Sequence, residues 1–219
     1  MTAKTLIAHD ILALSLQQTG RDAFHLLSDY HVKHLPIVDN HELEGLISED
    51  DILNHDLDKA IGTYKLSLVN PFCHEGDHLF EVMQKMALNK LTTIPVIDST
   101  NRYLGLVTIE DVFNFFGDSY AFKEPGSIII LETDRSKYSL SEIARICESE
   151  GILIFSSFVT SNLDSTSLYV TLKLNTFDVT RLVNAFQRYD YTVSGAFAED
   201  EYIDTLRERY QSLMNFLSI

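Results

Sequence analysis

The sequence is poor in most features that mark a functional class. Among its 219 residues there are two cysteines, Cys73 and Cys147, too few for a disulfide framework. No apolar run approaches the roughly eighteen residues of a membrane span. The N-terminus, MTAKTLIAHD, shows neither a basic-then-apolar leader nor a small-residue cleavage site. A soluble cytoplasmic protein is expected. Cations are scarce, with 17 lysines and arginines against 32 acidic residues and a formal charge of -15. Up to Phe122, eight basic residues face eighteen acidic ones, so that half carries -10. Nucleic acid and anionic membrane need clustered cations and are excluded as partners. A small anion stays open, because a helix N-terminus and one or two cations can hold it. Neither a G-x-S-x-G elbow, a phosphate loop nor a dinucleotide fingerprint is present. No catalytic constellation assembles, so an enzyme is not expected.

What the chain does have is 45% apolar and 22% charged residues over a length that suits two globular domains. It also has an internal repeat. Leu35-Pro36-Ile37-Val38-Asp39 matches Ile94-Pro95-Val96-Ile97-Asp98 at an offset of 59. Gly45, Ser48 and Asp51 then match Gly105, Thr108 and Asp111 at an offset of 60, with one residue inserted between. Before the second proline, Leu79, Val82, Met83 and Met86 fall on one helical face. Each copy reads helix, strand, turn, strand, helix, over about 1–60 and 61–122. Neither copy can bury its apolar side alone, which predicts two units packed face to face.

Lys123-Glu124-Pro125-Gly126 interrupts the pattern and is expected to be a linker. Beyond it, 127–200 reads as a ferredoxin-like β-α-β-β-α-β domain. Its strands are expected at Ser127–Thr133, Ile152–Thr160, Leu168–Leu174 and Tyr191–Phe197. Its helix faces are Leu140, Ile143, Ala144 and Cys147, then Val179, Leu182, Val183 and Phe186. The fold class is therefore α/β (α+β), closed by a C-terminal helix over 201–219. There Ile203, Leu206, Tyr210, Leu213 and Leu217 repeat at 3, 4, 3, 4, a short coiled-coil seam that fits packing on its own domain or across a dimer.

The hydroxyl and carboxylate that recur, Ser48 with Asp51 and Thr108 with Asp111, admit two readings. Each has the shape of a capping box, a hydroxyl N-cap with an acid at N3. Each is equally able to bind a ligand: a carboxylate accepts both hydroxyls of a ribose, a helix N-terminus attracts phosphate, and the preceding glycine lets backbone approach closely. Residue physics leaves both open. HEGDH, residues 74–78, matches the zinc-protease pattern in letters. That pattern needs one continuous helix, and Gly76 at a helix entry argues for an exposed helix start without metal.

The repeated G-apolar-apolar-[ST]-x-x-D, with an apolar-Pro-apolar strand before each, resembles the cystathionine-β-synthase (CBS) domain pair, or Bateman module, over residues 1–122. The resemblance implies an adenosine nucleotide or adenosyl ligand bound as effector in clefts between the units, and no catalytic cofactor. It implies Asp51 and Asp111 at the ribose, and Ser48 and Thr108 at ribose or phosphate. Backbone at Leu35, Pro36 and Ile37, and at Ile94, Pro95 and Val96, would line the base. Lys33 and His34 stand where the family often places basic phosphate ligands, whereas Thr92 and Thr93 replace them in the second copy. The two clefts are thus expected to be unequal. Residues 127–198 resemble the ACT family of small ligand-binding, pairing domains, although the loop from Glu132 to Tyr138 keeps Asp134 and lacks the family's glycine. Together the resemblances imply a regulatory homodimer that senses an adenosine-type nucleotide and signals to a regulated partner protein. A ligand-free dimerisation scaffold and an ACT-based amino-acid sensor are the alternatives.

Overall fold

Thr19 opens the first helix with a full capping box: its side chain accepts from Asp22 N, and the Asp22 carboxylate accepts from Thr19 N at 2.9 Å. In the computed structural model, which describes residues 1–8, 10–64, 71–162, 166–197, 212 and 214, that helix is α1 (Gly20–Asp29), followed by β1 (His34–Asp39), β2 (Glu42–Ser48) and α2 (Glu49–Leu53). The second copy repeats the order with α3 (Leu79–Asn89), β4 (Thr93–Ile97), β5 (Tyr103–Thr108) and α4 (Ile109–Asp118). It also has a two-residue strand, β3 (Cys73–His74), parallel to β4. The first copy's counterpart is a single parallel bridge from Leu14 to Ile37.

Each hairpin carries a bulge at the same place. Ile37 faces Gly45 while Val38 faces Leu43, and Val96 faces Gly105 while Ile97 faces Tyr103. The glycine before each hydroxyl therefore follows a bulge. At Gly105 the backbone has φ of +149°, and an added Cβ would run into the Ile7 side chain. The close approach that this glycine permits is made by the chain's own N-terminal segment, in place of the ligand expected from sequence.

The two cores are exchanged between the copies. Leu106 of β5 is fully buried among Leu35, Ile37, Ile47 and Ile52 of the first copy. Its repeat counterpart, Leu46 of β2, is buried among Val82, Ile94, Val96 and Val107 of the second. The N-terminal residues Ala3 and Leu6 join that second core, anchored by Ala3 N to Asp77 O at 2.8 Å. Each copy thus completes its core with a leucine from the other, which is the physical content of the tandem repeat.

The chain divides into two compact units, Met1–Gly117 and Asp118–Ile219. In the second, α5 (Tyr120–Lys123) precedes β6 (Ser127–Asp134), α6 (Leu140–Ser149), β7 (Ile154–Ser161), β8 (Ser167–Leu174), α7 (Thr180–Arg188) and β9 (Thr192–Phe197). The sheet order is β7-β8-β6-β9, all antiparallel, the ferredoxin-like arrangement. Ile129, Leu131, Val170 and Leu172 point to one face, where Ile143, Ile146, Leu182 and Phe186 cover them. Alternation in β8 and helical spacing in α7 account for this side of the sheet. The tail seam from Ile203 to Leu217 lies outside the described residues. Among the described residues no helix is long and apolar enough to cross a membrane.

Candidate functional site

Both predicted caps form. Ser48 N and Ser48 Oγ donate to Asp51 Oδ2 at 2.9 and 2.6 Å, and Asp51 N donates to Ser48 Oγ at 3.1 Å. Thr108 N and Oγ1 donate to Asp111 Oδ2 at 2.9 and 2.6 Å, and Asp111 N donates back at 2.9 Å. Capping uses one carboxylate oxygen in each pair. Both aspartates also line clefts, so the cap and the cleft wall are made by the same side chains.

The Asp51 cleft encloses about 280 Å³ between His34, Leu46, Ser48, Asp51, Pro71, Asn89 and Leu91. The Asp111 cleft encloses about 390 Å³, with Thr92, Thr108 and Asp111 facing Tyr30, His31 and Val32. Each cleft therefore joins the hydroxyl and carboxylate of one copy to the helix end of the other. Tyr30 and Val32 are the counterparts of Asn89 and Leu91 at the offset of 59. Both helix ends turn through a left-handed residue, His31 and Lys90, each with φ of 53°. Sequence reasoning missed these second walls. The matching offset at the two helix ends was the signal that could have found them.

The clefts are unequal, in a way the sequence only partly anticipates. Asp10, Asp29 and Glu110 join Asp111 in one wall, whereas Asp51 is the sole carboxylate among the described walls of the other. Of the expected residues, the structure brings His34, Ser48 and Asp51 together, and Thr108 with Asp111. Lys33 is exposed and lies outside the described walls of both clefts. Leu35, Pro36, Ile37, Ile94, Pro95 and Val96 are buried in β1 and β4 and are likewise not among those walls.

His34 enters its cleft as a neutral ring. Burial holds its imidazole below the usual histidine range, Lys33 adds to this, and Asp51 and Asp50 oppose it. Thr92 N donates to His34 Nδ1 at 3.3 Å, which requires Nδ1 to be unprotonated and places the ring hydrogen on Nε2. The Thr92 hydroxyl, 3.1 Å from Nδ1, is then a second donor. In the expected phosphate role, His34 is thus a hydrogen-bond donor and not a cation. The folded state resists protonation more than the unfolded chain does, so His34 lowers stability as pH falls below its ordinary value of 6.5. Unfolding free energies at pH 7.5 and 5.5 check this: His34→Gln is expected to lose less stability on acidification than wild type, and an equal loss would refute the assignment.

The other candidates separate. His74 lies in β3 and His78 caps α3 through Nδ1 to Phe80 N at 3.2 Å, so HEGDH does not occupy one helix. Cys73 and Cys147 are both buried and free, and burial pushes each thiol up to about 11. Asp134 closes β6 opposite Ser167, ahead of the turn that follows.

Comparison with known proteins agrees with the repeat. Residues 3–58 and 68–118 match the CBS domain, and the chain carries a CBS domain pair, a regulatory module. Inosine-5'-monophosphate dehydrogenase of Methanocaldococcus jannaschii is 26% identical over 112 residues, covering 50% of this chain and 22% of that enzyme. The chain thus spans only about a fifth to a quarter of the length of such curated relatives. Among solved structures, a CBS domain pair/ACT domain protein from Thermotoga maritima is 23% identical at a TM-score of 0.48, covering 53% of this chain and 96% of that one. The CBS domain pair of a protein crystallised with 5'-methylthioadenosine and S-adenosyl-L-methionine is 27% identical at a TM-score of 0.46, covering 53% and 96%.

Proposed function

We propose that the protein is a non-enzymatic sensor that holds an adenosine-type ligand, AMP-like or adenosyl, in its CBS clefts. The observation that carries this reading is the double use of Asp51 and Asp111. Each carboxylate commits Oδ2 to its helix cap while the side chain lines a cleft, leaving Oδ1 to accept from ribose hydroxyls. A carboxylate fixed in this way is pre-organised for binding and poorly placed as a mobile base, which favours a sensor over an enzyme. The less acidic Asp51 cleft, with the Nε2–H of His34, is the better host for a phosphate-bearing ligand. Ser48 and Thr108 would stand beside the ribose, with β1 and β4 supporting the base.

The second unit is an ACT-like domain in this reading, supported by its ferredoxin-like strand order. It passes cleft occupancy to a regulated partner protein through the geometry of a homodimer. The unpaired buried cysteines fit a reducing cytoplasm.

Titration calorimetry of nucleotide-stripped protein with AMP and adenosine tests the sensor role. Asp51→Ala is expected to weaken AMP binding at least about tenfold, as loss of a charged hydrogen-bond acceptor does. The same change removes a cap and costs about 1 kcal/mol of stability. A stability loss without any change in affinity, or no binding by wild type, would leave the CBS pair as a dimerisation scaffold.

A further inference from the structure

Thr92 stands at the junction of the two clefts. It lines the Asp111 cleft, and its hydroxyl contacts Nδ1 of His34, which lines the Asp51 cleft. Its Oγ1 accepts from Lys33 N at 2.9 Å, and Lys33 O in turn accepts from Glu49 N, the first residue of α2, at 2.9 Å. Its own carbonyl accepts from Ile109 N, the first residue of α4, at 2.9 Å. One residue therefore connects the entries of both capped helices, α2 with Asp51 and α4 with Asp111. Thr93 Oγ1 adds a bond to His34 O at 2.8 Å.

The polarity of this network is determined. Thr92 N–H can only donate, so His34 Nδ1 accepts. Thr92 Oγ1 takes the Lys33 N–H and gives its own hydrogen to Nδ1. A ligand acceptor drawn to His34 Nε2–H cannot turn the ring without breaking two bonds to Thr92. Displacing Thr92 in turn disturbs the wall of the second cleft and the first turn of α4.

We propose that the His34–Thr92 contact couples the two clefts, so that occupation of one changes the affinity of the other. The coupling rests on both clefts binding an adenosine-type ligand, the reading given above. A contiguous hydrogen-bonded link of this kind fits coupling of about fivefold or more in affinity. Neither copy holds the link alone: the repeat counterpart of Thr92 is Lys33, which contributes backbone only to these bonds.

The test is AMP titration of the full chain, with Asp51→Asn and Asp111→Asn used to measure each cleft by itself. Wild type is expected to show two binding events whose affinities depart at least about fivefold from the isolated clefts. Thr92→Val keeps shape and removes the hydroxyl bonds to His34 Nδ1 and Lys33 N while leaving the Thr92 N–H bond. It is expected to reduce the coupling, and Thr92→Ser to keep it. Each intrinsic affinity is remeasured in the Thr92→Val background, so direct damage to the second cleft is separated from lost coupling. If Thr92→Val does not fold, Thr92→Ala removes the same hydroxyl with a smaller side chain. Independent clefts in wild type, coupling undiminished in Thr92→Val, or a single binding event each overturn the proposal and leave the sensor role standing. No binding of AMP or adenosine at any cleft overturns both.

Discussion

Gly126→Ala is expected to destabilise the second unit by about 3 kcal/mol or more. Gly126 leads directly into β6, where Ser127 pairs with Leu174 of β8. A Cβ at Gly126 would fall inside the Leu174 backbone oxygen and reach its carbonyl carbon at 3.1 Å, with Asn175 Cα at 3.7 Å. All three atoms are backbone, so no side chain can turn aside to relieve the clash. The start of β6 must move away from β8, and the register that buries Ile129 and Leu131 moves with it. Urea unfolding, together with amide exchange in β6 and β8, reads the effect. A loss under about 1 kcal/mol with unchanged protection there would show that the strand accommodates a methyl group after all.

Leu106→Ala is expected to cost about 2–5 kcal/mol, the range for emptying a fully buried leucine site. Its informative feature is where the loss falls. Leu106 belongs to β5 of the second copy, yet the cavity opens among Leu35, Ile37 and Ile47 of the first. Amide exchange should therefore accelerate in β1 and β2 as well as in β5. Leu46→Ala should act in reverse, on the core that holds Val82, Ile94 and Val107. Exchange confined to β4, β5 and α3 after Leu106→Ala would mean that the cores are separate. The crossing also bears on sensing, because Leu46 is at once part of the second core and a wall of the Asp51 cleft. Ligand contact there reaches both copies.

The longer helices, the longer strands and both caps were legible because each depends on residues close in sequence. The capping boxes need only positions i and i+3, and α3 and β8 show their periods within a dozen residues. The short strand β3 and the Leu14 bridge were not legible, since two residues or one cannot display a period. Lys33 and His34 read as a pair of cations from their position in the motif. Burial neutralises one, and the other lies outside the described cleft walls. Charge in a sequence is formal, whereas charge in a site depends on solvent and partners.

By itself, then, the sequence determined the repeat, the order of its longer elements, and the hydroxyl and carboxylate that start α2 and α4. Only the tertiary structure decided what those residues face. Asn89, Leu91 and Pro71 reach Asp51, and Tyr30, His31 and Val32 reach Asp111, by packing one copy against the other. The exchange of Leu46 and Leu106 and the contact of His34 with Thr92 arise the same way. Local hydrogen bonds and periodicity act over a few residues along the chain. A cleft is built from residues about sixty apart, brought together by burial of surface that neither copy can cover alone.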